Sequence, residues 1–372
     1  PLRFKDLTQL GERRVELEGL AEDAAGDPGQ EGGLDARGHV EPEGPYGEFL
    51  GYYGAVKRNP VFHVTAITHR KDPIYMTTIV GKPPMEDGFL GEAVERLFLP
   101  LVRRHAPQAR IVFDTVDLHY LREERAATLS GDPALQSAAR RTRSAELGVI
   151  ARSDVTLVVS EVERALLARD APQARVDVLS NLHRITGAGR PFEERRDMVF
   201  VGGFRHPPNT DAVTWFARSV FPLVREQLPD VQFHCIGSDT PPGIRALAAI
   251  DGIRVHGHVP DIDPYMDGCR IAVAPLRYGA GVKGKINLSM AHGQPVVATA
   301  CAVEGMHLED GRDVLVADDA PAFAARIVQL HEDARLWNQL SRAGLDNVAR
   351  HFSTDSAREA VRALFLRDTD TR

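Results

Sequence analysis

Residues 277–305 read RYGAGVKGKINLSMAHGQPVVATACAVEG, and the fold follows from how this stretch is parsed. Just before it, residues 271–275 (IAVAP) form the short apolar run expected of a strand buried on both faces. The chain then opens into Gly279, Gly281 and Gly284. The spacing predicts a helix from about 285 to 292, ended by Gly293, and a second buried strand over 295–299 (PVVAT). A glycine loop entering a helix after a parallel strand exposes backbone N–H groups at the positive end of the helix dipole. Lys283 and Lys285 add formal charge at that point, so the place suits a diphosphate. An ordinary strand-to-helix turn with solvated lysines is the alternative reading of the loop alone.

The whole chain has 372 residues, enough for two or three domains with real cores. Its 43% hydrophobic and 26% charged residues are those of a water-exposed globular protein. A formal charge of -7 gives no reason to expect nucleic acid or an anionic membrane as partner. No run of about 18 apolar residues occurs, so no transmembrane segment is expected, and residues 1–14 do not read as a signal peptide. Cys235, Cys269 and Cys301 are widely separated and lie in or beside apolar runs. They read as small core residues in a reducing, cytoplasmic setting rather than as a disulfide framework. Opening on Pro1 rather than methionine suggests a fragment or a processed product.

Residues 1–105 have their own character. Residues 22–45 are rich in Gly, Asp, Glu and Pro and read as a long loop. Residues 60–70 and 74–80 read as a β-hairpin turned at 70–73, and apolar residues at helical spacing from Phe89 to Leu101 predict an amphipathic helix. The pieces EGPYGEFLGYYG (43–54), ITHRKDPIY (67–75) and GKPPMEDGFLGEAVERLFLPL (81–101) resemble consecutive parts of the UbiD family of decarboxylases. The resemblance implies a prenylated FMN cofactor and an acid pair at Glu43 and Glu48, since decarboxylation needs a positioned carboxylic acid to return a proton. The family's paired arginine and metal-binding residues belong upstream, and residues 1–42 do not supply them.

From residue 106 the text changes. Residues 110–115 (RIVFDT), 154–159 (DVTLVV) and 176–179 read as strands, separated by a long charged helical stretch interrupted at Gly131-Asp132-Pro133 and by a helix opened by the Ser160/Glu163 capping pair. Such alternation implies a parallel sheet with right-handed crossovers. Residues 182–196 read as a linker. A second series follows, with strands at 198–201, 231–236, 253–256, 271–275, 295–299 and 313–317. Asn209, Thr210 or Asp211 is expected to cap a helix running to about 227, and two helices are expected to close the chain.

The segments FVGGFRHPPNTDAVTWF (200–216), GHVPDIDPYM (257–266) and APLRYGAGVKGKINLSMAHGQPVVATACAVEGM (274–306) resemble, in order and interval, the donor domain of family-four retaining glycosyltransferases of the GT-B fold. DTVDLHYLRE (114–123) and VLSNLHRI (178–185) resemble the last third of the acceptor-side domain of the same enzymes. The resemblance implies an α/β architecture of two Rossmann-like halves: a partial one over 106–190 and a complete one over 191–372, behind the UbiD-like fragment at 1–105. It also implies a nucleoside diphosphate sugar as substrate, no tightly bound cofactor, no metal ligands, and an acceptor that is a sugar, a lipid-linked sugar or a small molecule. Donor contacts would come from Gly202, Gly203, Phe204 and Arg205, from His258 and Val259, from Gly281 and Val282, and from Glu304. His119, Lys283 and Lys285 would carry catalysis.

Many relatives place an arginine and a lysine at the positions of Gly203 and Asn209, and glutamates at those of Ala280 and Leu288, and none of the four is present here. Arg205, Lys283 and Lys285 must then balance the diphosphate. Three functions stay open: sugar transfer, nucleotide-sugar binding without turnover, and UbiD-type decarboxylation. The join of two unlike families near residues 101–108 reads as a chimera.

Overall fold

The computed structural model describes residues 40–43, 57–60 and 111–366. The chain divides into two compact units, Pro1–Ala109 and Arg110–Arg372. In the first, β1 (Val40–Glu43) pairs antiparallel with β2 (Lys57–Pro60), Val40 opposite Pro60 and Glu43 opposite Lys57. The expected loop over 22–45 is thus corrected at its end, where a ladder with 57–60 satisfies the backbone. Glu43 ends β1, whereas Glu48, the hairpin at 60–80 and the helix at 89–101 lie outside the described residues, apart from Pro60 in β2.

The second unit begins with a parallel three-stranded sheet, β3 (Val112–Asp114), β4 (Val155–Val158) and β5 (Val176–Val178), in the order β3-β4-β5. Between β3 and β4 stand α1 (His119–Ser130) and α2 (Pro133–Ile150), packed as a hairpin. Gly131 ends α1 in the left-handed conformation, and Asp132 caps α2 by accepting from the amide of Ala134, so Gly-Asp-Pro is a helix stop followed at once by a start. α3 (Glu161–Asp170) follows β4. Its core is small, built on Leu118, Tyr120, Ile150, Val158 and Leu167.

The larger half is a six-stranded sheet made of β6 (Arg196–Val201), β7 (Phe233–Ile236), β8 (Ile253–Gly257), β9 (Cys269–Ala274), β10 (Val296–Ala298) and β11 (Leu315–Val316). Its order is β11-β10-β9-β6-β7-β8 and every pairing is parallel. The strands read as apolar runs because both faces are covered. After β6, α4 (Pro207–Trp215) continues through one π turn, Phe216–Val220, into α5 (Phe221–Gln227). Phe216 of that turn packs tilted against Phe221 and Phe233 and edge-on against Phe323, with ring centroids 4.6 to 6.2 Å apart, all fully buried. The expected cap at 209–211 is corrected. Pro207 starts the helix at its first position, His206 precedes it, and Asn209 lies inside it.

Short helices α6 (Pro242–Arg245) and α7 (Asp263–Gly268) precede β8 and β9, and α8 (Gly284–Ala291) follows the glycine loop. α9 (Ala300–Val303), capped by Thr299, follows β10 directly. Among the described residues three helices rather than two follow β11: α10 (Ala320–Glu332), α11 (Ala334–His351) and α12 (Thr354–Leu366), the last pair broken at Phe352. Asp319 and Asp333 cap the first two.

The linker is bolted to the larger half. Arg195 is fully buried, and its guanidinium donates to the carbonyls of Ala188, Arg190, Met266, Cys269 and His292. Among the described residues no helix is long and apolar enough to cross a membrane.

Candidate functional site

β6 and β9 are neighbours in the sheet, yet β6 is followed by β7 on one side and β9 by β10 on the other. Their carboxyl ends therefore open a crevice that no crossover fills, the place where doubly wound sheets take ligands. Two loops enter it. Gly202 and Gly203 leave β6, and residues 275–283 leave β9 and lead into α8, whose first turn has no side-chain cap. The backbones approach closely: a Cβ on Gly202 would stand 2.8 Å from Asn209 Nδ2 and 2.9 Å from Lys285 Nζ.

Charge is distributed unevenly around this crevice. Every arginine at its rim is matched by a carboxylate: Arg122 with Asp117, Arg125 with Glu304, Arg205 with Asp239 at 3.2 Å, and Arg277 with Asp211, whose Oδ2 lies 2.9 Å from Nε. The lysines are not. Lys283 is buried, and its ammonium donates to the carbonyls of Ala280 at 2.9 Å and Gly281 at 2.6 Å, tying the loop to itself. Lys285 donates to Asn209 Oδ1 and sits 4.3 Å from the centre of the Phe200 ring. Burial lowers the pKa of both, Lys285 to about 7, with Lys283 adding to the depression. His206, half-buried just before α4, is pushed down to about 4 by burial and then by Arg122 and Lys285. The floor of the crevice thus holds two lysines with no carboxylate at ion-pair distance among the described residues, an arrangement an anion would relieve.

The opposite wall comes from the smaller half. Val116, at the end of β3, holds a left-handed φ of 60°, unusual for a β-branched residue, in a tight turn closed by Asp117 N donating to Thr115 O at 2.6 Å. That turn drives Asp117 against the glycine loop, where a Cβ on Gly281 would lie 2.9 Å from Asp117 Cβ. Gly281 has φ 67° and no room for a side chain, so glycine answers both demands. Two buried glutamates anchor the wall. Glu163 accepts from the amides of Leu118 and Val159, each at 3.2 Å, and Glu146 accepts from those of His119 at 3.2 Å and Tyr120 at 3.0 Å, serving the uncapped start of α1. His119 Nδ1 lies 3.4 Å from Glu146 and Nε2 3.5 Å from Asp117. The Glu146 hydrogen bond raises its pKa despite partial burial. Arg125, two turns along α1, reaches across to Glu304 with both nitrogens, at 2.6 and 2.9 Å, and donates to Gly279 O at 2.7 Å.

Gly202, Gly203, Gly281, Lys283 and Lys285 therefore meet at one crevice with the His119 segment across it. Phe204 and Val282 are buried, their side chains packed in the core, which leaves only their main chains for a ligand. Arg205 is engaged by Asp239 and Glu304 by Arg125. His258 is exposed at the end of β8, two strands from β6, and Val259 packs on the core. Arg122, Arg125 and His206 were not singled out from sequence. His119, Arg122 and Arg125 recur every third residue along one helical face, a signal that was available. His206 carried none, because its setting is made by residues distant in the chain. Among the described residues no group of three or more His, Cys, Asp or Glu is arranged to hold a metal.

Residues 195–333 match the family described as glycosyl transferases group 1, and residues 30–83 match the 3-octaprenyl-4-hydroxybenzoate carboxy-lyase Rift-related domain of UbiD. Two families thus meet in one chain, as the sequence resemblances imply. An uncharacterized protein of Aquifex aeolicus is 49% identical over 102 residues, 26% of this chain and 21% of that one. Another, from Archaeoglobus fulgidus, is 58% identical over 66 residues, 18% and 14%. The chain spans about a fifth or less of the length of these two curated relatives. Among solved structures, sucrose-phosphate synthase from Thermosynechococcus elongatus superposes with a TM-score of 0.56 at 16% identity, covering 70% of this chain and 68% of that one. Anabaena Alr3699/HepE in complex with UDP and glucose superposes at 0.55 and 12% identity, covering 80% and 84%. The fold is that of GT-B glycosyltransferases, mixed α/β with parallel sheets.

Proposed function

We propose that residues 110–372 bind a nucleoside diphosphate sugar in the crevice between β6 and β9 and transfer its sugar to an acceptor with retention. The observation that carries this reading is the pair of lysines without acidic partners beside an uncapped helix start at the sheet's switch point. The group 1 match over 195–333 and the UDP-bound neighbour support it. In transfer, the bond from the anomeric carbon to the diphosphate breaks and its electron pair stays on the departing oxygen. Lys283, Lys285 and the first amides of α8 stabilise that charge in place, and the acceptor oxygen forms the new bond and passes its proton to the departing phosphate oxygen. His119, held by Glu146, stands on the wall that would face the sugar. Titration with UDP and GDP tests the reading: saturable binding weakened by Lys283→Ala and Lys285→Ala is expected. No binding at millimolar ligand, about 4 kcal/mol, rejects it.

Binding without turnover is the second reading, favoured by one observation. The carboxylates nearest the floor are all engaged, Glu304 by Arg125, Asp117 by Arg122 and Glu163 by two amides. Donor hydrolysis by the purified chain, lost in Lys285→Ala, excludes it. Placement in a reducing cytoplasm is likewise proposed, on Cys235, Cys269 and Cys301 all being free thiols.

A further inference from the structure

Asn209 is 5% exposed, and its amide faces two partners at once: Nδ2 donates to Gly203 O at 2.7 Å, and Oδ1 accepts from Lys285 Nζ. Gly203 O belongs to the turn that leaves β6, and Lys285 rises from α8 on the far side of the crevice. One side chain therefore ties the first loop of the site to the cation of the second. We propose that Asn209 is a positioning residue which holds the Lys285 amine at the β6 turn without an acidic partner, so that the pair together makes the diphosphate subsite.

This inference rests on the donor-site reading above and goes further, because it makes the uncharged nature of residue 209 the determinant of ligand charge. An acid at 209 would satisfy Lys285 internally and leave the subsite nothing to offer a dianion. The groups that face Lys285 are Phe200 of β6 beneath it, Lys283 at the start of α8, Cys235 of β7 and His206 before α4. None is an acid ionised near neutral pH: the Cys235 thiol is pushed up to about 12 by burial. Burial lowers the Lys285 pKa to about 7, so in the empty site its ammonium gives up its proton as pH rises through that region. An anion that binds the ammonium must then draw a proton with it at higher pH, and affinity falls as pH rises through that value.

Isothermal titration with UDP-glucose tests this, since both of its phosphates are esterified and carry the same charge throughout the range used. In the full chain between pH 6 and 8.5, affinity is expected to fall on the order of tenfold per pH unit above about 7, with close to one proton taken up per site at pH 8. Asn209→Asp is expected to weaken binding at least tenfold at pH 6.5 and to flatten the profile, because its carboxylate keeps Lys285 protonated. Lys285→Arg keeps a permanent charge and is expected to bind with a flat profile, which supports the assignment even where Asn209→Asp folds poorly. A wild-type slope retained in Asn209→Asp or Lys285→Arg overturns the role of the pair while leaving the donor site standing. So does pH-independent binding by the wild type. No binding by the wild type at any pH overturns the donor-site reading itself, and this inference with it.

Discussion

The two halves of the second unit are built on the same strand–helix plan and differ in how they are held. The six-stranded half has one contiguous core running from the β6–β7 pair through the Phe216–Phe233–Phe323 cluster to Trp337 and Val348. The three-stranded half has a core of five buried residues and a second small cluster at Val155 and Leu157. It compensates with polar anchors, Glu146 and Glu163 on the start of α1 and Arg125 on the loops opposite. Apolar area is non-directional and tolerates some movement, whereas buried hydrogen bonds demand a geometry. The larger half thus supplies stability and the smaller supplies a positioned wall.

The largest test is to attack each core separately. Both tryptophans, Trp215 and Trp337, lie in the larger half, so their fluorescence reports that half alone. Phe233→Ala is expected to cost about 3–5 kcal/mol in urea unfolding followed by tryptophan emission. Leu167→Ala, in the smaller half, is expected to cost about 2–4 kcal/mol by far-ultraviolet circular dichroism while moving the tryptophan transition much less. Equal displacement of both signals by Leu167→Ala means the halves unfold as one unit and are not held separately.

Acid should separate them further. His206 and His331, both on elements of the larger half, are pushed down to about 4, by burial first and then by neighbouring arginines. Their folded values lie below the ordinary 6.5, so above 6.5 they affect nothing. As pH falls from 6.5 to 4 the unfolded chain takes up protons that the folded one refuses, at about 1.4 kcal/mol per unit for each group. His119 has the opposite sign: its raised value contributes stability below 6.5 that is lost as pH rises through the folded value, and its half-exposed position keeps the term small. Relative to its own stability at pH 7, His331→Leu is expected to retain on the order of 2–3 kcal/mol that the wild type loses by pH 4. An unchanged acid limb counts against burial as the cause.

The parts of this architecture that read directly from sequence are those in which neighbours along the chain carry the signal. The strands of the larger half show as apolar runs because both faces are covered, and Gly279 to Gly284 announces the loop because its backbone must turn and approach. Ser160 and Glu163 read as a capping pair, and Ser160 Oγ does accept from Glu163 N at 3.3 Å. The carboxylate, however, goes to Val159 and Leu118, a contact 45 residues back that no local pattern encodes. Asn209 was mistaken for a cap because Pro207, two residues earlier, is the better start. Arg205 read as free charge, since nothing nearby shows that Asp239 lies against it. Charge inventories of a crevice are tertiary facts, and its glycines are local ones.

Arg125 offers a smaller test of the same contrast. Removing it breaks a bidentate pair and a carbonyl contact between the halves, worth about 1–3 kcal/mol at a site roughly 30% exposed. Arg125→Ala is expected to lower overall stability by that amount and to speed amide exchange across residues 279–284. Unaltered exchange in that loop would mean the clasp does not hold it.

Gly281 and Gly131 provide the finest probe, because they share one backbone conformation and differ in surroundings. Their φ values are 67° and 69°, so alanine at either adds a similar strain of about 1 kcal/mol. A Cβ at Gly131 meets nothing within 4 Å, while one at Gly281 meets Asp117 Cβ at 2.9 Å and Val159 at 3.4 Å, both across the crevice. The strain cancels when the two variants are compared, and what remains is the cost of pushing the wall away from the loop. Gly281→Ala is expected to be about 1–2 kcal/mol more destabilising than Gly131→Ala in urea unfolding. Nucleotide affinity should fall with it, since the displaced loop carries Lys283 and leads directly into Lys285. Equal costs for the two alanines would show that in solution the halves stand apart at this point, and that the wall meets the loop only when something between them draws it in.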